Sequence, residues 1–224
     1  MSLPPGAEPA LARLLGLLAE PDAPISPASA TAARDVHVRD SLSGLEFEQL
    51  SRADRIADIG SGAGLPGLVL AAALQDARVD LIEASSRKCR FIERAIEGIG
   101  LANAEVVCER VESWAAGAGR EAYDAATARA VGSLPSLAEL VSPLLREGGV
   151  LLAWKGARDA KEESAAVGAA QRLAMEPAEV RAVEPYPASR DRHIHLLRKN
   201  GPTPEGLPRR PGMAAKRPFG SERT

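Results

Sequence analysis

Asp58-Ile-Gly-Ser-Gly-Ala-Gly-Leu-Pro-Gly67 puts four glycines and one acid directly behind the strand-like run Arg55-Ile56-Ala57. Glycine tolerates φ > 0 and has no Cβ, so such a loop lets backbone N–H groups close on a ligand. The apolar run Leu68 to Leu74 then reads as a helix, which gives strand, glycine turn and helix in the order of a nucleotide-binding unit. A second β-rich run, Arg78-Val79-Asp80-Leu81-Ile82, ends in Glu83, 23 positions after Gly60. A carboxylate at that point can accept hydrogen bonds from both hydroxyls of a ribose.

Gly62, Gly64 and Gly67 also satisfy the dinucleotide fingerprint G-x-G-x-x-G, so an NAD-binding dehydrogenase has to be weighed. Asp58, two residues before the tighter Gly60-x-Gly62-x-Gly64, argues against it and resembles the loop of class I S-adenosylmethionine-dependent methyltransferases. A pyrophosphate needs an open helix N-terminus, whereas S-adenosylmethionine carries an ammonium and a sulfonium that an acid at the loop mouth would suit. A dehydrogenase would also need a substrate domain, for which 224 residues leave little room.

The remaining chain predicts one α/β domain. Leu11, Leu14, Leu15 and Leu18 keep the spacing of an amphipathic helix, and Pro21 to Ala33 reads as a linker before a helix over Val36 to Leu50. Helices follow at Ser86 to Gly98, Ser136 to Leu145 and Ala160 to Met175. Strands are expected at Ala104 to Cys108, Tyr123 to Thr127, Val150 to Trp154 and His193 to Leu197, with Arg146 to Gly149 as a turn. Alternating strands and helices build a doubly wound, mostly parallel Rossmann-like sheet with an antiparallel C-terminal strand, and ligands bind at the carboxyl ends of its strands. The divisions expected are residues 1–35 (N-terminal helix and linker), 36–198 (methyltransferase domain) and 199–224 (basic Pro/Gly-rich tail).

The net charge of −2 hides an asymmetry, because residues 198 to 224 hold seven Lys/Arg against two acids. That extension reads as an arm for phosphates. Cys89 and Cys108 form no C-x-x-C or Cys/His cluster, so both read as reduced thiols and no metal is expected. With no long apolar run, a cytoplasmic monomer without membrane contact is the expectation.

Taken together, the motifs resemble the RsmG (GidB) family, small-subunit ribosomal RNA methyltransferases that modify N7 of one guanine. The similarity covers about residues 35 to 224. Its carriers are His37-x-x-Asp40-Ser41, the glycine loop, Arg87-Lys88-x-Arg90-Phe91, Arg110-Val111-Glu112, Arg129-Ala130, Lys155-Gly156, Arg192-His193 and Pro208-Arg209-Arg210-Pro211-Gly212. The resemblance implies that S-adenosylmethionine is held by Asp58, Gly60, Gly62, Gly64, Leu65, Glu83, Val111, Glu112 and Arg129, with Val111 and Glu112 flanking adenine. Arg129 would reach the methyl-transfer face, with Lys155, His37 and Asp40 beside it. The implied partner is 16S rRNA in the small ribosomal subunit, contacted by Arg87, Lys88, Arg90, Lys155, Arg192, Arg209 and Arg210. One departure is the region Pro21 to Arg34, which lacks the Tyr-Asn-Leu-Thr-like stretch usual before the His-x-x-Asp-Ser motif.

Guanine N7 has a free lone pair at neutral pH, so its methylation calls for alignment and water exclusion rather than a general base. The sequence is consistent with that target. Thr127-Ala128-Arg129-Ala130 stands where exocyclic-amine methyltransferases carry Asn/Asp-Pro-Pro-aromatic, and neither cysteine is expected at a strand end, where a C5-pyrimidine enzyme would need one. The rival readings are a small-molecule methyltransferase, a dehydrogenase and a non-catalytic ribosome-binding protein.

Overall fold

The computed structural model describes residues 3–187 and 189–220. In chain order it contains α1 (Ala7–Leu18), α2 (Pro27–Thr31), α3 (Asp40–Leu42), α4 (Glu48–Ser51), β1 (Arg55–Ile59), α5 (Gly67–Ala73), β2 (Arg78–Ile82), α6 (Ser86–Ile99), β3 (Ala104–Val107), α7 (Val111–Ala115), β4 (Tyr123–Arg129), α8 (Leu134–Val141), β5 (Leu145–Lys155), α9 (Ala160–Arg172), β6 (Met175–Ala182), β7 (His193–Lys199) and α10 (Met213–Lys216). The seven strands form one sheet in the order β3-β2-β1-β4-β5-β7-β6. Only β7 runs antiparallel to its neighbours β5 and β6.

β1 lies between β2 and β4, where the winding of the sheet reverses, and such a switch point opens a crevice at the carboxyl ends. Its residues are covered on both faces, so Ile56 packs with α1, α5 and α6 while Ala57 and Ile59 pack with α8 and α9. α1 buries Leu11, Leu14 and Leu18, as its spacing requires.

Several expectations need correction. The predicted helix over 36–50 is a succession of short turns: a wide one at Arg34–Arg39, α3, a tight one at Ser43–Glu46, and α4. The turns run on to Glu46 and break at Phe47, whose backbone is extended (φ −94°, ψ 115°), while Gly44 within them lies against the Trp154 ring, where a Cβ would come within 2.5 Å. The last predicted helix ends at Arg172, and β6 follows as an edge strand that sequence patterning misses. Arg146 to Gly149 belong to β5, as an irregularity in its pairing with β4. Cys89 and Cys108, expected as thiols, are joined in a disulfide with a Cα–Cα distance of 5.8 Å.

The basic extension is also not a free arm. Lys199 is fully buried and donates to the Ser142 carbonyl and to Thr203 Oγ1 (3.0 Å). Burial lowers its pKa to about 8. Residues up to 220 then fold back across α8 and α9, while Glu222 and Arg223 lie outside the described residues. No described helix is long and apolar enough to cross a membrane.

Candidate functional site

The glycine loop is shaped by two close approaches. At Gly60 (φ 62°) a Cβ would lie 2.8 Å from Val131 Cγ2, so the loop lets the β4–α8 connection come against it. At Gly67 the missing Cβ lets the amide reach Asp58 Oδ2 at 3.1 Å. The other Asp58 oxygen accepts from Thr127 Oγ1 at 2.8 Å. Asp58 is therefore a fully buried brace between β1, β4 and the start of α5, and not the cofactor-facing acid expected.

Burial, opposed by these donors, pushes the Asp58 carboxyl up to about 6. A folded state that holds the proton more tightly than the unfolded chain loses stability as pH rises from about 4 through about 6. Asp58→Asn, which keeps an acceptor for Gly67 and a polar group for Thr127, is expected to abolish that slope, worth at most about 3 kcal/mol. Urea midpoints at several pH values check this, and parallel profiles for the two proteins would contradict it.

Four of the loop's amides are committed within the protein: Gly62 donates to Glu83 Oε2, Gly64 and Leu65 to the Ser61 carbonyl, and Gly67 to Asp58. None of these four is left for a pyrophosphate, which argues against a dinucleotide. A cavity does open beside the loop at the carboxyl ends of β1, β2 and β3. Gly60, Glu83, Val111, Glu112, Ala130 and Leu140 line it. Apolar Val111 and Leu140 offer flanks for a base, and Glu83 stands at the rim with its carboxylate oriented by the Gly62 and Ser85 amides. Lys88, expected on RNA, lies 3.7 Å from Glu83 and lines the same cavity. Gly62 and Gly64 shape the loop without lining the cavity, and Leu65 is buried in the core rather than facing a ligand.

A second cavity adjoins the first through Ala130, which lines both and takes φ 58°. Asp40, Arg129, Trp154, Lys155, Arg192 and His193 surround it. Arg129 Nη1 donates to Asp40 Oδ2 at 2.9 Å and to the Val36 carbonyl at 3.3 Å, and its Nη2 lies 3.3 Å from His37 Nδ1. Burial, then the Arg129 charge, lowers the His37 pKa to about 4, so the ring is neutral and its Nδ1 accepts. His37 does not line either cavity; it holds Arg129 from behind. Trp154 Nε1 donates to the Asp40 carbonyl at 2.9 Å.

Lys155 faces this cavity, but its Nζ is bonded to Glu162 (2.7 Å) and to the Gly132 carbonyl (3.1 Å). Glu162 also accepts from the Leu134 amide, so this trio fixes the β4–α8 loop. Of the residues expected on RNA, Arg87, Arg90 and Arg210 are exposed, Arg192 reaches Tyr186 Oη at 3.3 Å, and Arg209 is committed to Glu139. Arg94, on the same helix as Arg87 and Arg90, pairs with Glu20 and Asp22. Sequence reasoning missed the dividing role of Ala130, and the parts played by Trp154 and Glu162; none carries a local signal, since each depends on chain segments distant in sequence. Among the described residues no group of three His, Cys, Asp or Glu could hold a metal ion.

A family model described as rRNA small subunit methyltransferase G (GidB) matches residues 22–195. A ribosomal RNA small subunit methyltransferase G of Rubrobacter xylanophilus is 46% identical over 187 residues, covering 82% of this chain and 72% of that one. The protein of the same description from Syntrophomonas wolfei is 37% identical, covering 82% and 85%. Among solved structures, a SAM-dependent O-methyltransferase from Thermotoga maritima superimposes with a TM-score of 0.56 at 18% identity, covering 75% of this chain and 67% of that one. A mutant of MtNAS in complex with S-adenosylmethionine gives 0.59 at 14% identity, covering 88% and 74%. At these identities the structural likeness speaks for the fold alone.

Proposed function

We propose, from the premise that the chain belongs to the rRNA small subunit methyltransferase G family, that it transfers a methyl group from S-adenosylmethionine to N7 of a guanine in 16S rRNA. The observation that carries this reading is the pair of cavities meeting at Ala130, one fit for a nucleoside without phosphates and the other framed by Arg129. The cofactor supplies an electrophilic methyl on a sulfonium. Glu83 takes the ribose hydroxyls, Val111 and Leu140 enclose the base, and Ala130 stands between the cavities with no more than a methyl group.

In the second cavity Arg129 and its partners Asp40 and His37 orient the guanine, whose N7 lone pair forms the new N–C bond as the C–S bond breaks and its electron pair stays on sulfur. No proton leaves in this step, which suits a site whose histidine is neutral and serves as an acceptor. Lys155 acts through Glu162 by holding the loop that carries Ala130. The enzyme works as a monomer in the cytoplasm on the small ribosomal subunit.

RNA is held by phosphate contacts from Arg87, Arg90, Arg192 and Arg210. Four such contacts on single-stranded RNA predict an affinity loss of roughly fiftyfold between about 50 and 200 mM salt. Filter binding across that range checks it, and an affinity flat with salt would contradict the assignment.

The cofactor reading is tested by calorimetric titration with S-adenosylhomocysteine and with NADH. Binding of the first alone is expected. Binding of NADH alone would replace the methyltransferase with a dehydrogenase.

A further inference from the structure

The C-terminal segment expected to be a basic arm for phosphates is bolted to the domain at four points. Arg209 donates from Nε and Nη2 to both oxygens of Glu139, each at 2.5 Å, and Glu139 on α8 is only 3% exposed. Ser136 Oγ, also on α8, donates to the Ala214 carbonyl at 2.9 Å. Arg120 Nη1 donates to the Leu207 carbonyl at 3.1 Å. The Phe219 ring is held between the guanidinium groups of Arg172 and Arg209, at 4.4 and 4.2 Å from its centroid.

These anchors carry Gly212 and Ala215 over the cavity beside the glycine loop, where both line it opposite Glu83. Gly212, at φ 83°, turns its amide onto Glu112 Oε1 at 2.6 Å. Glu112 is 7% exposed, sits in the first turn of α7 and lines that cavity. A glutamate has three rotatable bonds to fix: the Gly212 amide holds Oε1, and Arg110 Nε lies 3.6 Å from Oε2.

We infer that residues 208–217 form the outer wall of the cofactor site, closing over the adenine of the nucleoside and orienting Glu112 toward it. Nucleoside affinity then depends on the chain's C-terminal segment as well as on the loops at the sheet's carboxyl ends. The cations Arg210, Lys216 and Arg217 of this segment are exposed. The inference rests on reading that cavity as the S-adenosylmethionine site.

The test uses the full chain. Ala215 is exposed, so Ala215→Trp can project a ring into the cavity without disturbing the core, with Val167→Trp on the exposed face of α9 as the control away from both cavities. Calorimetry with S-adenosylhomocysteine is expected to show a loss of about tenfold or more for Ala215→Trp and wild-type affinity for Val167→Trp, with equal melting temperatures. Hydrogen exchange on the wild-type chain is expected to slow at residues 210–216 when S-adenosylhomocysteine is added. Unchanged affinity in Ala215→Trp together with unchanged exchange at 210–216 would overturn the wall while leaving the cofactor reading intact. A wild-type chain that binds no S-adenosylhomocysteine would overturn both.

Discussion

Replacing Arg129 by alanine is expected to lower kcat/KM for methyl transfer by about a hundredfold or more, while S-adenosylhomocysteine affinity stays within about threefold of wild type. Arg129 does not line the nucleoside cavity; it faces the neighbouring one and ties the turns at 34–40 to the end of β4. Removing it also leaves the Asp40 carboxylate, 2% exposed, without its cation. An uncompensated buried charge costs about 3–5 kcal/mol, so a fall in melting temperature is expected too, and activity should be compared at a temperature where both proteins are folded. Arg129→Lys restores the charge without the forked geometry and should recover stability more than turnover. Lys155→Ala is the comparator. Its Nζ is spent on Glu162 and Gly132, so its effect on turnover should be smaller. Equal and small losses at both positions would contradict the role given to Arg129.

Replacing Glu83 by alanine is expected to weaken S-adenosylhomocysteine binding by about a hundredfold. The substitution acts twice. It removes the acceptor for the ribose hydroxyls, and it releases the Gly62 amide (3.0 Å) and the Ser85 amide (2.9 Å), which hold the glycine loop and the start of α6 around the cavity. Charge-assisted hydrogen bonds are each worth about 1.5–3 kcal/mol, so two of them account for an effect of this size. Calorimetry measures it directly, and affinity within threefold of wild type would remove Glu83 from the site.

The core of the fold was legible because it rests on local signals. Strand β1, the glycine turn, α5 and the carboxylate ending β2 follow one another within about thirty residues, and each has a distinct composition. What failed depends on partners distant in sequence. β6 alternates only weakly and contains Pro177, which an edge strand tolerates at its pairing irregularity with β7 and a central strand would not. The apolar residues of 36–50 suggest one helix, yet the chain breaks at Phe47, whose extended backbone (φ −94°, ψ 115°) separates the turns ending at Glu46 from α4.

The site divides in the same way. Gly60, Glu83, Val111 and Glu112, all expected on the cofactor, line one cavity, because the glycine turn and the strand ends fix where their backbone lies. Asp58 was assigned to the wrong side: its sequence position fixes it at the strand end, but only the amide of Gly67 and the hydroxyl of Thr127 decide which way its carboxylate points. Composition alone could not show that Arg209 and Lys199 are structural, since Glu139 and Ser142 lie more than fifty residues away. The disulfide escaped for a related reason, as Cys89 on α6 and Cys108 after β3 meet only once the helix is packed on the sheet.

The central claim, that the two cavities meeting at Ala130 serve one methyl transfer to guanine N7, is tested most directly by supplying labelled S-adenosylmethionine and small ribosomal subunits lacking the modification. Naked 16S rRNA is run alongside, and the product is analysed as nucleosides. The account predicts label in 7-methylguanosine, lost in Arg129→Ala. Label in any other nucleoside, or none from a chain that binds S-adenosylhomocysteine, would contradict it.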